Sequence, residues 1–137
     1  MQDPYMRQEA VVWTVDEDSD PGVIGRGVRQ GCPISPLLFS IYAEVMMIEA
    51  LEDMEEGVSV GGQLVSDVRF ADDQGMVADI EMGLQRIMNK LNDTAKNFGM
   101  KINVQKTKTM VVRWGGGGVV KITVDGKRIE QVKSLNN

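Results

Sequence analysis

The chain has 137 residues, 42% of them hydrophobic and 26% charged, which is the composition of one soluble globular domain. Its apolar stretches are too short to span a bilayer and its N-terminus lacks a secretory pattern. We therefore expect an intracellular protein without a membrane partner, although the sequence does not distinguish nucleus from cytoplasm. A single cysteine and the lack of histidine exclude an internal disulfide, a Cys-His dyad and most zinc sites.

Charge is distributed unevenly along the chain. The net charge is −5, yet residues 1–100 carry 7 Lys and Arg against 18 Asp and Glu, whereas residues 101–137 carry 8 against 2. The net charge argues against a nucleic-acid partner, because phosphate contacts come from Lys and Arg. The asymmetry allows an acidic part to gather metal ions while a basic part approaches phosphates. A solvated basic surface is the more frequent explanation of such a bias.

The first predicted element is a hairpin. Residues 5–15, with an apolar run at 10–15, and residues 22–28 have the pattern of two strands, and an acidic loop separates them. Three alternating Asp residues in that loop are spaced as in a calcium-binding loop. Pro21 stands where such a loop needs Gly, and Gly27 stands where it needs a bidentate Glu, so we reject a calcium site.

A loop rich in Gly and Pro follows the hairpin. Gly31 lets a ligand or another backbone come close because it has no side chain. Arg29 and Gln30 can donate hydrogen bonds to a phosphate or to a base edge. A loop that only introduced a helix would not need these residues, so the loop is a candidate binding element.

The loop leads into a first helix. Ser35 is placed to be its N-cap and Pro36 its first residue. Apolar residues then recur at helical spacing, which predicts a broad buried stripe. Its members are Leu37, Leu38, Ile41, Tyr42, Val45, Met46, Ile48 and Leu51.

A short hairpin and a second helix are predicted further along the chain. Residues 58–65 turn at Gly61-Gly62, and Asp79 is placed to cap the helix that follows. Gly99 is expected to end that helix in the left-handed conformation. Its buried stripe is predicted to be Leu84, Ile87, Met88, Leu91, Ala95 and Phe98.

Between these elements lies the most distinctive stretch, Phe70-Ala71-Asp72-Asp73. Apolar runs on both sides indicate two strands, and the polar residues from Asp72 to Gly75 are predicted to form the reversal. Adjacent carboxylates at a rigid turn suit Mg²⁺, which prefers oxygen ligands in tight geometry. Asp also favours turns for its own hydrogen bonding, so the pair alone does not establish a metal site.

The C-terminal part of the chain is predicted to be a loop, a strand and a hairpin. Lys106 and Lys108 lie just ahead of the predicted strand at 109–112. Asp125-Gly126 is a strong signal for a two-residue hairpin turn. The fold class is therefore α+β, with two helices covering one face of an antiparallel sheet.

Three of these stretches, in this order, resemble the palm of reverse transcriptases. The resemblance is strongest to the non-LTR retrotransposon type and weaker to group II intron and retron relatives. They are 29–39, called motif B in that family, 70–73, called motif C, and 99–108, called motif D. The resemblance runs from about Gln8 to Val132. It implies one partial reverse transcriptase domain over 1–137, a partial polymerase palm with motifs B, C, D and the start of E.

The resemblance also implies roles for individual residues. Asp72 and Asp73 correspond to the catalytic, metal-binding carboxylates. Lys106 matches the lysine that protonates the departing pyrophosphate or neutralises its charge, with Lys108 as second candidate. Phe70 is expected to pack beside the primer end.

The motif B loop is implied to line the pocket for substrate. Gln30 and Gly31 correspond to residues at the nucleotide and template, with Arg29 beside them as a further substrate-binding candidate. Pro33 matches the residue that shapes the loop.

The implied cofactor is Mg²⁺, as two ions, and the implied partners are an RNA template, a DNA primer and dNTP. That chemistry also needs a carboxylate from a motif A of the form Asp-x-x-x-x-Phe-Asp, which residues 1–28 do not contain. Fingers and thumb are likewise not found, and the oligomeric state is not indicated. We therefore expect the isolated chain to be inactive. Two alternatives stay open, a non-catalytic RNA-binding or interaction remnant of a retroelement and a translated remnant without a stable fold.

Overall fold

A computed structural model of the chain describes residues 8–13, 15, 18–24, 31–70, 73–113 and 118–133. The chain divides into two compact units, Met1–Tyr42 and Ala43–Asn137. No helix in the described ranges has the length and apolarity needed to cross a bilayer. The elements, in chain order, are β1 (Gln8–Ala10), β2 (Gly22–Ile24), α1 (Ser35–Leu51), β3 (Val58–Val60), β4 (Gln63–Val65), β5 (Asp67–Phe70), β6 (Asp73–Met76), α2 (Glu81–Asn97), β7 (Lys108–Met110), β8 (Thr123–Val124), β9 (Lys127–Arg128) and β10 (Glu130–Val132).

The predicted α+β class is confirmed. Within the described residues the strands form five two-stranded pairs rather than the one continuous antiparallel sheet that we expected. Four pairs join sequence neighbours and are antiparallel, whereas β7 and β10 are parallel. Each strand has two to four residues, and such short strands leave few ladder positions for a third neighbour.

In the first unit, β1 and β2 form the predicted antiparallel hairpin. Glu9 lies opposite Val23, and further out Trp13 forms an isolated bridge with Asp18. Ser19 fastens the loop, since its N–H donates to the Val12 carbonyl at 3.0 Å and its hydroxyl accepts the Val12 N–H at 2.9 Å. This confirms the hairpin, although its strands are shorter than predicted.

Helix α1 begins at Ser35, one residue before the predicted first helical residue Pro36, and its buried face differs from the predicted one. The residues of α1 that pack inward are Ala43, Met46, Met47 and Ala50, which recur at helical spacing. Of the predicted stripe, only Met46 is buried and Leu51 is half-buried, whereas Ile41, Val45 and Ile48 are each about half exposed. The helix is apolar nearly all round, so periodicity did not identify the face that packs.

Helix α2 has the predicted buried face and the predicted end. Ile87, Met88, Leu91 and Ala95 are buried, and Leu84 and Phe98 are half-buried. At the C-terminus, the Met100 N–H donates to the Ala95 carbonyl at 2.7 Å and the Gly99 N–H to the Lys96 carbonyl at 2.9 Å. These two bonds form a Schellman motif, which requires the positive φ of 68° found at Gly99.

The start of α2 corrects one prediction. The helix begins at Glu81, its N-cap is Ile80, and no side chain caps it, so Asp79 is not the N-cap that we expected. Glu81 lies in the first turn, where its charge is favourable to the helix dipole. Its carboxylate also accepts the Lys121 N–H at 2.9 Å, which ties the helix start to the segment leading into β8.

Two short turns form as their glycines predicted. Gly61 and Gly62 have φ values of 59° and 84° between β3 and β4, and Asp125 and Gly126 have φ values of 49° and 73° between β8 and β9. Positive φ at both central positions is the signature of the type I′ turn, which suits the right-handed twist of hairpin strands.

The core of the second unit consists of two clusters. The first cluster joins Met46, Met47 and Ala50 of α1 to Leu91 and Ala95 of α2. The second cluster joins α2 to the C-terminal segments through Met88, Ile122, Val124 and Ile129. Half-buried Met76 and Ile102 pack against both clusters, so the two clusters share these side-chain contacts. Three methionines, Met46, Met47 and Met88, are buried in these clusters, where their flexible side chains fill the core.

Candidate functional site

The hairpin β5–β6 carries Asp73, the second of the two adjacent carboxylates, at the start of β6. Phe70 lies directly opposite Asp73, and Asp67 lies opposite Met76. Asp73 to Gly75 therefore lie in strand β6 rather than in the reversal that we predicted for residues 72–75. Gly75 pairs with Val68 and continues the strand.

The two faces of this hairpin have different surroundings. Residues directly opposite each other in an antiparallel pair point to the same face, and the face alternates along each strand. Phe70 and Asp73 therefore share one face, and both are exposed. Asp67 and Met76 share the other face, where Met76 packs against both core clusters. The hairpin is thus anchored on one side and open on the other.

Arg69 fastens the anchored face to α1. Its Nε donates to Asp67 Oδ2 at 2.5 Å within β5, and its Nη1 donates to Glu44 Oε2 on α1. The hydrogen bond to Glu44, together with that to Asp67, raises the pKa of Arg69 above its ordinary value. One guanidinium thus bridges two carboxylates and connects the hairpin to the helix, a geometry that suits the planar fork of Arg.

The open face offers an anionic and an aromatic group together. Phe70 is 82% exposed although it is aromatic, and the Asp73 carboxylate next to it is exposed as well. Asp72 lies outside the described residues. Within the described ranges no three His, Cys, Asp or Glu side chains are grouped so that they could bind a metal ion. Asp73 alone therefore supplies one oxygen donor group, which is less than a closed site needs.

The predicted residues of the motif B loop are only partly described. Arg29 and Gln30 lie outside the described residues. Gly31 has a φ of 82° and open space around the position of a Cβ, and it is exposed, as is Pro33. Both belong to the first unit, immediately before α1.

The two candidate lysines differ in their partners. Lys108 lies in β7, where its Nζ donates to Glu130 of the parallel strand β10 at 2.5 Å. Lys106 lies in an exposed turn, with its N–H bonded to Asn103, and its ammonium group forms no ion pair within the described part of the chain. Lys106 is therefore the better placed of the two to meet an external anion.

Sequence reasoning overlooked Arg69. No role was predicted for this residue, yet its bond to Glu44 connects the hairpin to α1. The signal was present, because an arginine between the apolar residues Val68 and Phe70 of a predicted strand needs an anionic partner.

Comparison with known proteins agrees with the motif pattern. The reverse transcriptase (RNA-dependent DNA polymerase) family matches residues 5–135. A retrovirus-related Pol polyprotein from the type-2 retrotransposable element R2DM of Drosophila melanogaster is 35% identical over 95 residues, 69% of this chain and 9% of that protein. A Pol polyprotein from the type-1 element R2 of Popillia japonica is 29% identical over 122 residues, 82% of this chain and 20% of that protein.

A third relative, the R2 Pol polyprotein of Nasonia vitripennis, is 30% identical over 87 residues, 64% of this chain and 8% of that protein. The chain thus spans at most about a fifth of the length of these relatives. The R2 names confirm the predicted non-LTR retrotransposon type. The chain belongs to the reverse transcriptase (RNA-dependent DNA polymerase) family.

Proposed function

We propose that this chain is part of the palm of an R2-like RNA-directed DNA polymerase, as one partial domain over 1–137. The hairpin β5–β6 is the observation that supports this most. It presents Phe70 and Asp73 on an exposed face while Met76 and Arg69 anchor the opposite face. The substrates that go with this function are an RNA template, a DNA primer and dNTP.

Asp72 and Asp73 are proposed to supply carboxylate oxygens to divalent cations, and Mg²⁺ fits such hard ligands best. In the complete polymerase two such ions would activate the primer hydroxyl and stabilise the charge on the transferred phosphate. A pair of adjacent carboxylates is not sufficient to hold both ions. The 137 residues contain no Asp-x-x-x-x-Phe-Asp, so a further carboxylate must come from outside this chain.

The remaining roles follow from the motif match. Lys106 neutralises or protonates the leaving pyrophosphate, which agrees with its exposed and unpaired ammonium group in the described structure. Gln30 and Gly31, with Arg29 and Pro33, line the nucleotide and template pocket. Phe70 packs beside the primer end, where an exposed aromatic ring can meet a base.

A primer-extension assay tests activity. The purified chain, mixed with a primed RNA template, dNTP and Mg²⁺, is expected to give no extension because the third carboxylate is missing. Extension that disappeared in the Asp72→Ala variant would show that the chain is active by itself and would overturn the expected inactivity.

A metal-binding assay tests the carboxylate pair without requiring catalysis. Mn²⁺, used as a paramagnetic substitute for Mg²⁺, should broaden the amide resonances of Phe70 and Asp73 in ¹⁵N spectra. The double variant Asp72→Asn with Asp73→Asn should abolish the broadening, whereas Asp79→Asn, an exposed carboxylate nearby in sequence, should leave it intact. Equal broadening in all three proteins would remove the metal role from the pair.

A second candidate function is RNA binding without catalysis. The concentration of Lys and Arg after residue 100 favours it, with 8 of them against 2 Asp and Glu. RNA binding that weakens with salt, in a preparation that does not extend primers, would support this candidate.

A further inference from the structure

A cleft lies in the second unit, between the segment after α2 and the turn of the β8–β9 hairpin. Residues 101–105 line one side, and Val124, Asp125 and Lys127 line the other. Its volume is about 470 Å³. That volume is within the range of small-molecule sites, so the cleft can accommodate a group the size of one nucleotide.

The cleft has an excess of positive charge. Lys101 and Lys127 are exposed, and neither forms an ion pair within the described part of the chain. The Asp125 carboxylate is already engaged, because Lys96 Nζ donates to its Oδ1 at 2.5 Å and Asn92 Nδ2 donates to the same atom at 2.9 Å. Lys101 also lies close enough to attract this carboxylate. Lys96, Lys101 and Lys127 therefore stand against one carboxylate, which leaves an excess of two positive charges in a protein whose net charge is −5.

The remaining residues of the cleft supply a hydrogen-bond donor and apolar side chains that pack against the core. Asn103 Oδ1 accepts the N–H groups of Gln105 and Lys106, each at 3.2 Å, which leaves the amide nitrogen of Asn103 as a donor. Val124 is 3% exposed, and Ile102 and Val104 pack against the same core cluster. None of the described residues that line the cleft is aromatic, so this lining offers little for base stacking.

We propose that this cleft binds a backbone phosphate of a nucleic-acid strand, with Lys101 and Lys127 contacting its oxygens. The inference rests on the RNA-binding candidate above and names its site. A phosphodiester fits because two flexible ammonium groups and an amide donor surround an opening without a stacking surface. A free nucleotide has the same phosphate chemistry and is the alternative source of the group.

Fluorescence anisotropy with a labelled oligouridylate, over a series of KCl concentrations, tests the proposal. The double variant Lys101→Gln with Lys127→Gln should bind more weakly, and its slope of log K against log salt should fall by up to about 1.4, or about 0.7 for each lost contact to a single strand. The matched control is Lys90→Gln with Lys121→Gln, which removes the same charge from exposed lysines outside the cleft. Lys101→Arg with Lys127→Arg should retain the slope of the unmodified chain.

The outcomes separate this inference from the function on which it rests. A reduced slope in the cleft variant alone supports the cleft, and competition by uridine monophosphate at equal phosphate concentration assigns it to free nucleotides. Equal slopes in the cleft and control variants overturn the cleft while RNA binding stands. Failure of the unmodified chain to bind the oligonucleotide at low salt overturns both.

Discussion

Arg69 bridges carboxylates on two different elements, and its effect can be measured. We expect Arg69→Gln to lower the free energy of unfolding by about 1 to 2 kcal/mol, because Asp67 and Glu44 would lose their shared cation. Arg69→Lys should recover only part of the loss, since a single ammonium cannot replace the guanidinium fork. Urea unfolding followed by circular dichroism gives the free energies.

Arg113→Gln is the control for this change, because Arg113 is exposed and forms no ion pair within the described residues. It should alter the free energy of unfolding by less than about 0.5 kcal/mol, as is usual for surface substitutions. If Arg69→Gln and Arg113→Gln have the same effect, the bridge does not stabilise the hairpin.

The lowered pKa of Asp125 leads us to expect that the free energy of unfolding depends on pH. Its hydrogen bond from Lys96, followed by that from Asn92, lowers the pKa of this carboxyl below the ordinary 3.8. A carboxyl with a lowered pKa in the folded state stabilises the fold above its unfolded pKa, and this contribution is lost as the pH falls through the folded value. The free energy of unfolding should therefore fall less steeply below about pH 4 in Asp125→Asn than in the unmodified chain.

Asn tolerates the positive φ at position 125, so this substitution removes the charge while keeping the turn. Asp93→Asn, at an exposed site on α2, is the comparison. Urea titrations at several pH values measure the slopes. A slope for Asp125→Asn that equals the slope for Asp93→Asn would contradict the prediction.

At the scale of elements, the two helices show what periodicity can and cannot predict. Helix α2 has polar residues on its outer face, so the sequence left one choice for its buried face, and that choice is confirmed. Helix α1 is apolar on most of its circumference, and small Ala43 and Ala50 rather than larger Val45 and Ile48 face the core. Small residues allow two helices to pack closely. The prediction considered only large apolar residues, so it did not identify the face that carries Ala43 and Ala50.

Strand β8 pairs with β9, and a side chain of α2 bonds further backbone groups of this strand. Gln85 of α2 accepts the Thr123 N–H and donates to the Thr123 carbonyl, both at 2.8 Å, and so acts in place of a neighbouring strand. Gln85→Ala should cost about 1 to 3 kcal/mol, because two part-buried backbone groups would lose their partner. No sequence rule indicates this contact, since the two residues are 38 positions apart.

Hydrogen exchange measures this effect directly, and the Thr123 amide should lose protection in Gln85→Ala. Gln63→Ala, an exposed glutamine in β4, should leave that amide protected. Unchanged protection of Thr123 in Gln85→Ala would mean that β8 is held by its hairpin and the core alone.

For the whole molecule, local signals predicted more than long-range ones. Turns with Gly61, Gly62 and Gly126, and the helix end at Gly99, form as predicted because each depends on a few adjacent residues. The parallel pairing of β7 with β10 was not predicted, because it joins residues 22 positions apart and has no local signature. The family could be recognised from its motifs, whereas the contacts around the site had to come from the structure.

The two core clusters are expected to unfold together. Met47 and Ile122 are buried in different clusters. Met76 and Ile102 pack against both clusters, so the loss of one cluster should destabilise the other. Met47→Ala and Ile122→Ala should each cost about 2 to 5 kcal/mol and shift one shared urea transition of the second unit.

Val45→Ala is the control, because Val45 is half exposed on the same helix as Met47, and it should cost much less. Exchange of the Leu91 and Ile129 amides reports on the two clusters separately, and in Met47→Ala both should become faster by the same factor. Faster exchange at Leu91 alone would mean that the clusters are independent folding units despite the residues they share.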